Sequence, residues 1–308
     1  MRARSGSILI AALSVGCAAS PARPPPPVAP TPAPEPAASA PAAPSPPPVD
    51  PSASCGPLGC RLYATTTQAF RAVLAQNPLV LALGEAHAKK DVPGIPSSTK
   101  RFTAEMLPEL KEVASDLVIE LMAPPTGCEP STKSVRKELG KATARQADTN
   151  QNEYVTMGDE AKRLGITPHL LHPSCADFKT ISAQGADGID VALRLIGRLM
   201  RESAERLLAR NAKEGVEKLI VLYGGAIHND VEPFEAARPY CYGPELVAAT
   251  KGRYVELDVF VPELVSDTGL WPRFAWYPHF DKQAHPDQAT LFSPLPASYT
   301  MLLPATKR

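Results

Sequence analysis

Short apolar runs alternate with stretches of helical period along this chain, and this alternation most constrains how it can fold. Each run is bounded by turn residues, and an amphipathic stretch separates it from the next run. Such a pattern is typical of strand and crossover-helix units around a parallel sheet. The sequence therefore predicts an α/β fold in which helices flank a mainly parallel sheet. The predicted strands cover residues 79–83, 117–119, 169–171, 219–223, 254–260 and, at the edge, 299–303.

The predicted helices lie between these strands. They cover residues 67–76, 100–113, 131–164 with a break, 189–212 and 244–250. The strongest is 189–212, where Ile196, Met200 and Leu207 share one face and arginines occupy the other. A helix with one apolar and one charged face covers a sheet, so this segment is predicted to pack on the core.

The first 17 residues have the pattern of an export signal. Two arginines precede a short apolar run at 8–15, which is too short to span a bilayer. The run ends in Gly16 and Cys17 and resembles a bacterial lipobox, which implies that Cys17 is lipidated. A plain signal peptide cleaved nearby is the alternative. With either signal we expect export, and with the lipobox a lipid anchor in the bacterial cell envelope, in the outer membrane.

Residues 18–52 are almost entirely proline, alanine and serine. This composition cannot bury enough apolar surface to fold, so the segment is predicted to be a disordered tether. About 256 residues remain, which favours one domain over 53–308. The chain has 32 basic and 32 acidic residues, so no excess charge favours nucleic acid as a partner. The oligomeric state stays open.

Acidic and histidine side chains follow the predicted strands where the strands end. Because ligands bind beyond the carboxyl ends of parallel strands, these side chains are expected to meet in one crevice. His87 and His228 each follow glycine-containing turns. The candidates for the site are Glu85, His87, Glu120 and His228, with His172, Asp230 and Asp258 as supporting residues.

Two Gly-x-x-His elements carry a family resemblance. Gly84 to His87 and Gly225 to His228, with Glu120 on an intervening strand, resemble the superfamily of erythromycin esterase, ChaN haem-binding lipoproteins, TraB and the Tiki metalloproteases. The Gly-Glu-x-His spelling is nearest to the ChaN-like branch. The resemblance to Tiki-like proteins implies a metal bound by His87 and His228 with Glu120 or Glu85.

A metal-dependent hydrolase of ester or peptide bonds is the leading functional hypothesis. Two imidazoles and a carboxylate suit Zn, Mn, Co or Fe, with Glu85 as general base. In a metal-free variant, His87 deprotonates water and Glu85 or Glu120 fixes its tautomer. The substrate is expected to be a small molecule or a peptide.

Haem or iron binding without catalysis is the alternative, as the resemblance to ChaN implies. His87, His228, Tyr223, Tyr242 or His172 are the candidate residues for contact with such a cofactor. A scaffold without chemistry is a third possibility. The chain has no Gly-x-Ser-x-Gly, P-loop or dinucleotide-binding motif, so those enzyme classes lack support.

Five cysteines remain beyond Cys17, and an exported protein can form disulfides. Cys55 and Cys60 are close in sequence, and Cys128 and Cys175 each follow a predicted strand. The expected pairs are therefore Cys55 with Cys60 and Cys128 with Cys175, which leaves Cys241 free. Spacing alone does not establish them.

Overall fold

The computed structural model describes residues 53–307, so the predicted signal peptide, Cys17 and the predicted tether lie outside the described residues. In the described part, eight strands form one sheet, and six of them occupy predicted strand positions. The strands are β1 (Arg61–Tyr63), β2 (Val80–Glu85), β3 (Ala114–Met122), β4 (Thr167–Leu171), β5 (Leu219–Gly225), β6 (Tyr254–Phe260), β7 (Ala289–Leu295) and β8 (Ser298–Leu302).

The sheet has the strand order β1-β7-β8-β6-β2-β5-β3-β4. The central strand β2 pairs in parallel with both β5 and β6. Parallel pairing continues outward to β3 and β4 on one side and to β8 on the other. β7 runs antiparallel to β8 and β1. The predicted α/β class with a mainly parallel sheet is confirmed.

Seven α-helices are seen within residues 53–307. They are α1 (Thr66–Leu74), α2 (Ser98–Arg101), α3 (Glu129–Ala142), α4 (Asn150–Arg163), α5 (Cys175–Ala183), α6 (Gly188–Glu214) and α7 (Gly243–Ala249). The break predicted within 131–164 separates α3 from α4. The continuous helix predicted for 100–113 is wrong: α2 passes into a π-helical turn, Phe102–Met106, and a 3₁₀ turn, Leu107–Leu110. Pro108 lacks the N–H that a regular α-helix would need there.

Apolar side chains cover both faces of the sheet, as expected for buried parallel strands. On one face, alternate residues of β2, β5 and β6 pack against α1, the π-helical and 3₁₀ turns that follow α2, and α4. On the other face, the intervening residues pack against α5, α6 and α7. Helix α6 buries Ile196, Met200 and Leu207, the face predicted for it. The central strands are therefore rigidly held, and their carboxyl ends form a fixed edge.

Two disulfides join parts of the described chain. Cys55 is bonded to Cys60 next to β1, and Cys128 at the start of α3 is bonded to Cys175 at the start of α5. Cys241 is free. In the same part of the chain no helix has both the length and the apolar character to cross a membrane.

Candidate active site

Glu85, His87, Glu120 and His228 lie at the carboxyl edge of the three neighbouring strands β2, β5 and β3. Glu85 is the last residue of β2, and His87 follows it by two positions. Glu120 lies two residues before the end of β3, which extends to Met122, beyond the predicted strand end. His228 follows β5 by three residues. Parallel pairing brings these strand ends to one edge, where ligands bind in open α/β sheets.

Glu85 organises one half of the site. Its side chain is 2 % exposed. Its Oε1 accepts hydrogen bonds from His87 Nδ1 at 2.6 Å and from the Tyr154 hydroxyl of α4 at 2.9 Å. Its Oε2 is buried and has no hydrogen-bond partner. Because a carboxylate only accepts, Nδ1 of His87 carries a proton, and Nε2 is left to face the crevice.

The protonation of His87 reflects this setting. Burial opposes the imidazolium form, but the charge of Glu85, its hydrogen bond to the ring and the charge of Glu120 outweigh burial and raise the pKa of His87 to about 9. Burial and the same two carboxylates also raise the pKa of Tyr154 well above its ordinary value. Tyr154 is therefore a hydrogen-bond donor to Glu85 at neutral pH.

Backbone groups fix the other half of the site. Glu120 Oε2 accepts a hydrogen bond from the N–H of Gly225 at 2.6 Å. His228 Nδ1 donates to the carbonyl oxygen of Tyr240 at 2.9 Å. This leaves His228 Nε2 directed at Glu120 Oε1, 3.9 Å away, which is too long for a hydrogen bond. The two donor atoms are spaced so that one metal ion could contact both, since Zn–N and Zn–O distances are about 2 Å.

Gly225 marks where the two halves meet. The position that a Cβ would take at Gly225 lies 3.8 Å from His87 Nε2 and 3.7 Å from Glu120 Oε2. Among the described residues, the donor atoms of His87, His228 and Glu120 do not all lie within 4.8 Å of one another. A three-residue ligand set would therefore need a movement of at least one of these side chains.

Two glycines form the floor beneath these side chains. Gly84 of β2 and Gly224 of β5 are neighbours in register. A Cβ at Gly224 would lie 2.2 Å from Glu120 Oε2, and a Cβ at Gly84 would lie 2.3 Å from Asp258 Oδ1. Carboxylates from the flanking strands therefore project over the two central strands, and only glycine leaves room for them.

Beside Gly84 lies a second acidic cluster, formed by Asp230, Glu256 and Asp258. One oxygen from each of the three carboxyls lies within 4.8 Å of the other two. Burial raises the pKa of Asp230 to about 6. Burial and the charge of Asp230 raise the pKa of Glu256 to about 8, and burial with both neighbouring charges raises the pKa of Asp258 well above its ordinary value.

Among the described residues, the side chains of Tyr223, Tyr242 and His172 make no hydrogen bond to Glu85, His87, Glu120 or His228. Tyr223 is fully buried, and its hydroxyl donates to Thr99 Oγ1 at 3.3 Å. Tyr242 is also buried. His172 follows the edge strand β4 and is exposed. His169 of β4 bonds to Asp116 near the amino end of β3 instead.

Sequence reasoning missed several partners of the site. Tyr154 reaches Glu85 across 69 residues, and nothing in its local pattern points to that contact. Glu256 could have been found, because it precedes Asp258 by two residues on a predicted strand and so shares its face. Asn229, which follows His228, donates through Nδ2 to Asp258 Oδ1 at 3.0 Å.

An aromatic cluster lies against the same edge. Its rings pack on Ala86 and Ala226, the residues that follow β2 and β5. The members are Phe260, Trp271, Phe274, Trp276, Tyr277, Phe280 and Phe292. Two open surface depressions, of about 340 Å³ and 390 Å³, are not lined by Glu85, His87, Glu120 or His228, and the first borders Tyr277 and Phe280 of the cluster. The candidate site therefore has an apolar wall on one side.

No protein-family model and no curated protein matches the chain. Among solved structures, the chain is similar to "The structure of the type III effector HopBA1". That likeness covers 69 % of this chain and 89 % of the effector chain, at 12 % identity and a TM-score of 0.35. Similarity at this level carries no argument about function.

Proposed function

We propose that the protein is a metal-dependent hydrolase of ester or peptide bonds, with its catalytic centre at the carboxyl edge of β2, β3 and β5. The observation that carries the proposal is the orientation of the two histidines. Each ring has its Nδ1 engaged by an oxygen acceptor, which leaves both Nε2 atoms for a ligand near Glu120. Metal-ligating histidines are typically held in this way.

The donor types at this edge suit a divalent metal, and a side-chain movement would complete the ligand set. His87, His228 and Glu120 would hold it, since imidazole and carboxylate donors suit Zn, Mn, Co or Fe. The unpartnered, buried Oε2 of Glu85 adds negative charge that a nearby cation would compensate. A bound metal would compete with the proton on His87. When bound, it would lower the pKa of a water ligand toward about 7 and polarise a substrate carbonyl.

Neighbouring residues would orient the side chains that hold the metal. Glu85 and Tyr154 fix the tautomer and direction of the His87 ring, which gives Glu85 a positioning role in place of general base. The N–H of Gly225 holds Glu120 with one oxygen left free for a ligand. The aromatic cluster beside Ala86 and Ala226 supplies an apolar wall that would exclude water from one side.

The haem alternative loses its two tyrosine candidates, because Tyr223 and Tyr242 are both buried, and it keeps His87 and His228. The family resemblance to the ChaN and Tiki proteins remains part of the proposal. Export and lipidation at Cys17 remain a proposal of their own, which mass spectrometry of the mature N-terminus would test.

Metal content and hydrolysis, measured together, test the proposed function. The full chain, purified without chelator, is compared with the double variant His87→Ala, His228→Ala and with His285→Ala, which changes an exposed histidine. We expect near-stoichiometric zinc, manganese, cobalt or iron at the histidine centre of wild type and His285→Ala, and one equivalent less metal in the double variant. Hydrolysis of a panel of nitrophenyl esters and fluorogenic peptides should be lost in parallel.

Two results would reject the metal-dependent hydrolase. A metal-free wild type that still hydrolyses a substrate would leave His87 and Glu85 as a metal-free catalytic pair. A haem absorption band that disappears in the double variant, without any hydrolysis, would move the assignment to cofactor binding.

A further inference from the structure

The acidic cluster of Asp230, Glu256 and Asp258 is distinct from the proposed catalytic centre and contains no histidine. Glu256 and Asp258 are 6 % and 2 % exposed, whereas Asp230 is only partly buried and opens the cluster to solvent. Three carboxyl groups so close together repel one another when ionised. Burying them requires either shared protons or a cation.

Within residues 53–307, the neighbours of this cluster carry no positive charge. Among the described side chains, no lysine or arginine pairs with any of the three carboxyls. Their partners are neutral donors: the N–H of Val231 bonds to Glu256 Oε2 at 2.7 Å, and the hydroxyl of Ser298 bonds to Glu256 Oε1 at 3.1 Å. These donors orient Glu256 without neutralising the cluster.

Asn229 provides a second, independent indication of a ligand. The residue is completely buried, and its Oδ1 has no hydrogen-bond partner. Its Nδ2 donates to Asp258, which holds the amide beside the cluster. A Cβ at Gly84 would lie 2.7 Å from Asn229 Oδ1 and 2.3 Å from Asp258 Oδ1, so both oxygens project over the same glycine. A buried carbonyl oxygen without a partner is unfavourable unless a donor or a cation lies beside it.

We infer that Asp230, Glu256, Asp258 and the side-chain oxygen of Asn229 form a binding site for a hard divalent cation such as Ca²⁺, Mg²⁺ or Mn²⁺. All four donors are oxygens, the ligand type that these ions prefer over nitrogen and sulfur. The site is separate from the histidine centre, although the two lie over adjacent glycines of β2 and β5. It does not depend on the proposed hydrolase activity.

Thermal unfolding of the full chain tests the site. The protein is stripped with EDTA, dialysed, and unfolded alone or with CaCl₂, MgCl₂ or MnCl₂. At a cation concentration about 100 times the Kd, binding to the folded state alone should raise Tm by about 5–10 °C. Asp258→Asn should abolish this rise, because it removes one charged ligand.

Two control variants separate this site from other effects. The double variant His87→Ala, His228→Ala should keep the rise with CaCl₂ or MgCl₂, because those ions do not need imidazole. Asp116→Asn, which changes a buried carboxylate near the amino end of β3, should unfold at a lower temperature and still respond to the cation.

The inference is overturned if none of the three cations raises the Tm of wild type, or if Asp258→Asn responds as strongly as wild type. If Asp258→Asn does not fold, Glu256→Gln takes its place. Electron paramagnetic resonance of Mn²⁺ then gives a direct count of bound ions. One site fewer in Glu256→Gln than in wild type supports the inference, and an equal count refutes it.

Discussion

Asp116 and Asp258 are both buried carboxylates of the same sheet, and their surroundings are opposite. Asp116, near the amino end of β3, accepts hydrogen bonds from His169 at 2.7 Å, Arg210 at 2.5 Å and Ser115 at 2.6 Å. Asp258, in β6, has a neutral amide and two other acids as neighbours. The negative charge of Asp116 is thus balanced by an arginine and several hydrogen bonds, whereas that of Asp258 is balanced by one neutral amide.

The pKa values of the two groups diverge for this reason. Burial alone would raise the pKa of Asp116, but its hydrogen bonds and the charge of Arg210 outweigh burial and hold it well below the ordinary value. Burial and two like charges raise the pKa of Asp258. A buried carboxylate with a cationic partner stabilises the fold. Buried carboxylates without one lie at the carboxyl edge, where we propose the functional sites.

The largest expected effect of a single change is at the compensated carboxylate. Asp116→Asn removes the negative charge and one of the two acceptor oxygens of the Arg210 pair. It should lower the free energy of unfolding by about 3 kcal/mol, near the low end for a buried pair because Arg210 is 38 % exposed. Urea unfolding measures the loss. Asp159→Asn, which breaks an exposed pair with Lys162, should give no measurable change. Equal losses of stability in Asp116→Asn and Asp159→Asn would mean that the buried ion pair of Asp116 does not stabilise the fold.

The same carboxylate should show a defined pH dependence. Because the folded-state pKa of Asp116 is depressed, its contribution is complete above the unfolded value of about 3.9 and is lost as pH falls toward the folded value. The stability difference between wild type and Asp116→Asn should therefore be constant from pH 7 to 5 and shrink below about pH 4. Urea titrations at each pH measure it. A difference that grows in acid would mean that Asp116 is not held ionised by its partners.

A smaller loss is expected at the glycine floor. Gly224→Ala places a Cβ 2.2 Å from Glu120 Oε2, which must be displaced, so we expect a loss of about 1–3 kcal/mol together with loss of metal. Gly140→Ala, in α3, meets no atom within 4 Å and should stabilise by about 0.5–1 kcal/mol. Urea unfolding curves of the two variants and wild type measure the expected loss of stability in Gly224→Ala and the expected gain in Gly140→Ala. If Gly224→Ala leaves the free energy of unfolding unchanged, Glu120 does not pack against Gly224 in the folded protein.

The smallest effect is expected at Tyr154. Tyr154→Phe removes one hydrogen bond to Glu85 and should cost about 1–2 kcal/mol of unfolding free energy. If Tyr154 also positions Glu85 for His87, kcat should fall while KM stays near its wild-type value. A purely structural tyrosine would lower stability and leave the kinetic constants of the folded enzyme unchanged.

The strands were predictable because buried parallel strands are continuous apolar runs, and each run is a local signal. β1 and β7 were missed for physical reasons: β1 has three residues, and β7 contains Pro294 in a region without clear periodicity. Helix α5 was missed as well. Its capping box between Ser174 and Asp177 was a usable local signal.

The site residues were predictable in part. Glu85, His87, Glu120 and His228 follow from the rule that parallel strands bring their carboxyl ends to one edge. Their partners depend on packing between distant segments: Tyr154 comes from α4 and Tyr240 from the segment before α7. No local pattern encodes such contacts, so those partners needed the three-dimensional structure.

Metal binding by His87, His228 and Glu120 can be observed directly by anomalous X-ray diffraction. The crystals contain the full chain and are grown with zinc or manganese and without chelator. Data collected on either side of the metal absorption edge locate the ion. We expect a peak about 2 Å from Nε2 of His87, Nε2 of His228 and a carboxylate oxygen of Glu120. A well-ordered carboxyl edge with no anomalous peak at these three side chains, in crystals grown at saturating metal, would rule the histidine centre out as a metal site.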